Sequence, residues 1–118
     1  MTIRFADHDF DGPYQAVSWK APGQGGVYAV MVYDAAHKPQ PYRVIHFGQA
    51  RDFSSRAVLH GHRKYSDWIA IAKSEMGLYI ATHRMPGATD LTQMALERYL
   101  IHYYHPECND VFTAWGAR

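Results

Sequence analysis

The chain has 118 residues, 47% of them hydrophobic and 19% charged, with a formal net charge of +1; that suits one globular domain with a real core and is too short for two. No stretch approaches the roughly 20 consecutive apolar residues of a membrane span, and a single cysteine, Cys108, excludes an internal disulfide or a cysteine-rich zinc site. The near-neutral total lacks the basic signature of many nucleic-acid binders, yet Arg51, Arg56, Arg63 and Lys64 cluster around Asp52 while Asp7, Asp9 and Asp11 crowd the start, leaving room for a local basic face.

Residues 1–25 mix acids, prolines and glycines without alternation or a helical stripe, and read as an irregular arm; with no apolar segment near Met1, the expected compartment is cytoplasmic. From Gly26 a run of β-branched and aromatic residues, Val27 to Tyr33, predicts a buried strand, and Tyr42 to Phe47 a second one ending at Gly48, the two joined by a long hairpin loop. Asp52 or Ser54 caps a short helix through Arg56 to about His60, and Ser66 a second one before Gly77. Leu78 to Ala81 make a third strand. After the Pro86-Gly87 turn, Asp90 with Gln93 resembles a capping box opening a long helix that lasts until Pro106. The expected fold is α+β, a small three-stranded antiparallel sheet flanked by helices, with 1–25 as an arm and 26–118 as the domain.

On that last helix Glu97 falls at helical spacing from Met94, Leu100, Ile101 and Tyr104, which puts a carboxylate inside an apolar arc. Such a group costs several kcal/mol unless it is paired, hydrogen-bonded or bound to a cation. An ion pair with Arg56 or Arg98 is one solution and a metal ion the other. His60-Gly61-His62 offers two imidazoles for a transition metal, but no third ligand stands at a recognisable spacing.

Gly26-Val27-Tyr28, His46-Phe47-Gly48, the stretch from Gly48 to Arg56, and Glu97 to Asn109 with its Leu-Ile, Pro and Asn together resemble the GIY-YIG endonuclease family, the last stretch being similar to the nuclease domain of the UvrC repair protein. The resemblance covers Gly26 to Asn109. His46 stands where the family has tyrosine, Gln49 where UvrC-type domains have lysine, and the loop between the two motifs is longer than usual.

The resemblance implies a divalent-metal-dependent endonuclease acting on DNA, with RNA as an alternative substrate, and Mg2+ or Mn2+ held by Glu97. A hydrated magnesium ion often takes a single protein carboxylate, so one acid suffices. Arg56 is the expected transition-state cation and Tyr28 or His46 the base, the imidazole being the more natural acceptor near pH 7. His60 is expected to contact phosphate, with Gly26, Gly48, Gln49 and Asn109 in support. A catalytically silent binding module, and a ribonuclease or exported toxin nuclease, are the alternatives. No membrane partner is implied, and a homodimer is left open.

Overall fold

The computed structural model describes residues 1–109. Five strands, β1 (Thr2–Phe5), β2 (His8–Gln15), β3 (Gly26–Tyr33), β4 (Tyr42–Ala50) and β5 (Leu78–Arg84), form one antiparallel sheet in the order β1-β2-β5-β3-β4. Two helices, α1 (Tyr65–Ala72) and α2 (Asp90–Tyr104), complete an α+β fold.

The sheet therefore has five strands where three were expected, because the first 25 residues are not an irregular arm. They supply a hairpin that pairs β2 against β5. Its strand character is hidden by the short β1, by a turn in which Ala6 and Asp7 both take positive φ, and by a register shift between Asp11 and Tyr14. Gly12 sits in that shift at φ +137, where a Cβ would come within 2.8 Å of the Ile80 carbonyl oxygen.

β3 is an interior strand, buried on both faces, which is why it reads as an unbroken apolar run. Its side chains alternate between two cores. Tyr28, Val30 and Val32 join Ile45, Phe53, Val58 and Trp68 of α1 on one face. On the other, Val27, Ala29 and Met31 join Phe5, Phe10, Phe47 and Leu100 of α2. A second register shift, between Val30 and Met31, inserts Ile45 as an extra residue in β4. His46 consequently stands opposite Val30 and faces the α1 side.

Helix ends differ from expectation in instructive ways. The helix expected around Arg56 is only a 3-10 turn, Arg56–Val58, where the Ser55 hydroxyl accepts from the Ala57 amide at 3.3 Å. Leu59 leaves helical geometry so that Val58 and Leu59 can both be buried. α1 begins at Tyr65 without a side-chain cap, so Ser66 lies inside it. α2 is capped by the Thr89 hydroxyl, which accepts from the Thr92 amide at 3.1 Å, rather than by Asp90. Asp90 instead forms a two-pronged ion pair with Arg51, Nη2 to Oδ2 at 2.5 Å and Nε to Oδ1 at 3.2 Å, tying the end of β4 to the start of α2. No helix among the described residues is long and apolar enough to cross a membrane.

Candidate functional site

A cleft of about 710 Å³ opens between the exit of β4, the loop before α1, and α2, lined by Tyr28, His46, Gly48, Gln49, Arg51, His62, Arg63, Glu97, Arg98 and Asn109 among others. Six of the nine residues singled out from sequence meet there: Tyr28, His46, Gly48, Gln49, Glu97 and Asn109. Gly26, Arg56 and His60 are not among the lining residues.

Tyr28 reaches the cleft because its partner across the strands, Gly48, has no side chain. A Cβ on Gly48 would stand 2.4 Å from both Cζ and Oη of Tyr28, so the ring lies across the glycine with its hydroxyl end over the vacant position. The ring is 2% exposed. Burial, and then the nearby charge of Glu97, raise the phenol well above its ordinary pKa, so it holds its proton firmly.

Glu97 points into the same space from α2. It makes no hydrogen bond or ion pair with the described residues, so the ion pair considered with Arg56 or Arg98 does not form. Arg98 acts on it only through charge. Burial dominates and pushes the carboxyl up to about 7. A cleft-facing carboxylate that cannot ionise comfortably by itself suits a group that acquires its counter-charge from a ligand.

His46 is 7% exposed, its ring between His62 at 4.9 Å and Trp68 at 5.0 Å, with Tyr28 at 6.3 Å. Burial, with the neighbouring His62 next, lowers its pKa to about 3. The expectation of a proton acceptor near neutrality assumed an ordinary, solvated imidazole, and His46 is instead a buried one. His62, read from sequence only as a weak zinc candidate, lines the cleft instead. Its Nδ1 accepts from the Lys64 amide at 3.0 Å, so the neutral ring carries its proton on Nε2 and is a donor. Burial lowers its pKa too, with the charges of Arg63 and Lys64 adding to the effect.

Arg56 is exposed on the 3-10 turn, and its side chain runs along Gly61, where a Cβ would lie 3.3 Å from Cγ. His60 donates from Nε2 to Glu75 at 2.6 Å, sharing that carboxylate oxygen with the Tyr65 hydroxyl at 2.7 Å. Both are drawn out of the cleft because the expected helix is replaced by a tight turn. The cationic lining comes from Arg51, Arg63 and Arg98; the first two stood out in the sequence only as members of a charge cluster, and Arg98 only as a partner for Glu97. Among the described residues no group of three or more histidine, cysteine, aspartate or glutamate side chains could hold a metal, so neither a zinc cage nor a multi-carboxylate site is formed.

Asn109 is a brace. Among the described residues β4 is an edge strand, and the Asn109 side chain mimics a further strand by accepting from the Phe47 amide at 2.8 Å and donating to the Phe47 carbonyl at 2.9 Å. The Cys108 amide continues the ladder to the Ile45 carbonyl at 2.8 Å. Asn109→Ala strips two hydrogen bonds from a buried segment, and a loss of about 1–3 kcal/mol in urea unfolding is expected; an unchanged midpoint would show the brace to be dispensable.

Gly26 supports from outside the cleft. At φ +154 it passes so close to β5 that a Cβ would stand 2.1 Å from the His83 carbonyl oxygen. Gln49 keeps its amide oxygen buried without a hydrogen-bond partner, aligned with a cleft-lining position.

Comparison of the chain with protein-family models, with curated proteins and with solved structures finds no match, so the functional reading rests on the residues and the cleft they build.

Proposed function

We propose that this chain is a divalent-metal-dependent endonuclease that hydrolyses phosphodiester bonds in DNA. The observation that carries the reading is the Glu97 carboxylate, half-buried and without a hydrogen bond or ion pair to the described residues, in one cleft with Tyr28, Arg51, Arg63 and Arg98. The resemblance of Gly26 to Asn109 to GIY-YIG nucleases supports it independently of the geometry.

Glu97 fits a magnesium or manganese ion as a sole protein anchor, since the carboxyl is half-buried without a hydrogen bond or ion pair to the described residues and these ions keep most of their waters. Such an ion, when bound, supplies Lewis-acid stabilisation of the departing oxygen. The remaining work belongs to the chain. Arg98, beside Glu97 on α2, offers a planar, permanently charged fork to the scissile phosphate, and Arg51 and Arg63 extend the cationic lining. His62 donates a hydrogen bond through Nε2. Tyr28 is the base candidate: burial is the larger cause of its raised pKa and the Glu97 charge the smaller, and a cation on Glu97 offsets the second of these. His46 keeps the aromatic wall in place as a neutral ring.

The guanidinium role thus moves from Arg56 to the cleft. Arg98→Ala is expected to reduce cleavage by about a hundredfold, the scale of one lost transition-state donor, and Arg56→Ala by much less; the reverse order in a plasmid-nicking assay would return the role to Arg56.

The direct test is incubation of the purified protein with plasmid DNA and Mg2+ or Mn2+. Nicking that disappears with a chelator and in Glu97→Ala supports the proposal, and undiminished cutting by that variant sinks it. A second reading keeps the cleft as a non-cutting nucleic-acid or protein binding site. It is favoured by Tyr28, whose phenol holds its proton at neutral pH, and by His46, whose burial leaves it a weak proton acceptor that a nearby cation would weaken further. Salt-sensitive DNA binding with no cleavage under any divalent metal would select it.

A further inference from the structure

We propose that the outer face of the C-terminal half of α2 is a subsite for unpaired nucleotides, with Tyr99 and Tyr103 as the stacking faces. The inference rests on the nucleic-acid reading of the adjoining cleft and names the form of strand it receives.

Tyr99 and Tyr103 are 51% and 61% exposed. Four residues apart on one helix, they lie on the same face, with ring centroids 6.1 Å apart. Their neighbour Tyr104 shows what a structural tyrosine does here: its ring packs on Phe5 at 5.5 Å and Phe47 at 5.8 Å, and its hydroxyl accepts from the Ala6 amide at 2.8 Å. Neither Tyr99 nor Tyr103 makes a hydrogen bond to the described residues, and although the Tyr103 ring lies 4.8 Å from that of Tyr104, both rings stay more than half exposed. Two large aromatic faces left in water are costly to keep without a use.

Their surroundings select the occupant. Arg98 and His102, each one residue before a tyrosine, line the cleft, so α2 presents cleft-facing donors and outward aromatic rings side by side. From Arg98 to His105 the helix and its cap carry no carboxylate. A strand with a phosphate at Arg98 meets π-faces as it leaves the cleft across α2, the combination of cationic track and aromatic platform that binds single strands without reading their sequence. A duplex hides its base faces and can use only the charged part of this surface.

The test is binding by the full chain in a chelator, so that nothing is cut, to a labelled mixed-sequence single-stranded DNA and to the same sequence as a duplex. Tyr99→Ala/Tyr103→Ala is expected to weaken single-strand binding about tenfold or more, the scale of one to two lost stacking contacts, with little change in duplex affinity or in the salt dependence of binding. Tyr99→Phe/Tyr103→Phe, which keeps the faces and removes the hydroxyls, should restore wild-type binding. Unchanged single-strand affinity in a double-alanine variant with wild-type circular dichroism overturns the subsite while leaving the nuclease reading intact if the parent still cuts DNA. A change in oligomeric state without a change in DNA binding also overturns it, in favour of a second copy of the chain on this face. A parent that binds and cuts neither form of DNA removes the nuclease reading and the subsite together.

Discussion

Glutamine at position 97 is expected to give a protein that is inactive yet more stable than the parent above neutral pH. The folded protein raises the Glu97 carboxyl from 4.5 to about 7, and each unit is worth about 1.4 kcal/mol. Because the folded value lies above the unfolded one, the native state is favoured while the group is protonated in both states, below about pH 4.5. It then loses ground as pH rises to about 7. The parent therefore carries a penalty of about 3 kcal/mol above that range, the product of the shift and the energy per unit, and Glu97→Gln carries none. Urea unfolding at about pH 4.5 should find the two proteins alike, and at about pH 8 should find the variant more stable; equal stability at both would show that Glu97 is not strained.

His46 tilts the parent's profile the other way. Its folded pKa, about 3, lies below the usual 6.5, so stability falls as pH drops below about 6.5. Between about pH 4.5 and 6.5 the two slopes oppose each other, and the parent should be nearly flat where Glu97→Gln gains stability with rising pH. A divalent ion adds an independent reading. Mg2+ or Mn2+ should stabilise the parent at alkaline pH, where Glu97 is ionised, and leave Glu97→Gln unchanged.

Gly48→Ala is the second large effect, and it separates position from chemistry. The added methyl would occupy the place of the Tyr28 ring, 2.4 Å from Cζ and Oη, within a wall formed by Phe53, His46 and Trp68. The ring cannot swing into solvent without abandoning the core, so the strand pair or the tyrosine must shift. Overpacking of this kind costs about 1–3 kcal/mol. Cleavage should fall about a hundredfold or more, the scale at which a misplaced reacting group is felt, with the secondary structure retained. Cleavage at the parental rate would mean that the Tyr28 hydroxyl has no part in the reaction.

The sequence was most informative where local chemistry and burial agree. The strand from Gly26 was readable because its β-branched and aromatic run is buried on both faces, β4 because Tyr42 to Phe47 keeps strand chemistry, and the long helix because Met94, Leu100, Ile101 and Tyr104 fall at helical spacing. Glu97 declared itself as an acid where an apolar residue belongs, and the glycine of His46-Phe47-Gly48 acquired a physical reason once Tyr28 was found lying across it. The first 25 residues were misread because short strands broken by a bulge, acids and Pro13 have no periodicity of their own. Their pairing with β5 comes from residues some seventy positions away.

What the linear order could settle, then, was which residues favour strand or helix and which acid is out of place, since both follow from neighbours along the chain. Only the packed molecule decided which charges face the cleft. Replacing a helix by a 3-10 turn carries Arg56 and His60 away, while the packing of α2 against β4 brings Arg51 and Arg98 in and the loop before α1 brings His62. It also shifts proton affinity, burial lowering the His46 pKa to about 3 and raising that of Glu97 to about 7. Desolvation and long-range proximity are properties of the assembled core, and neither is encoded in spacing.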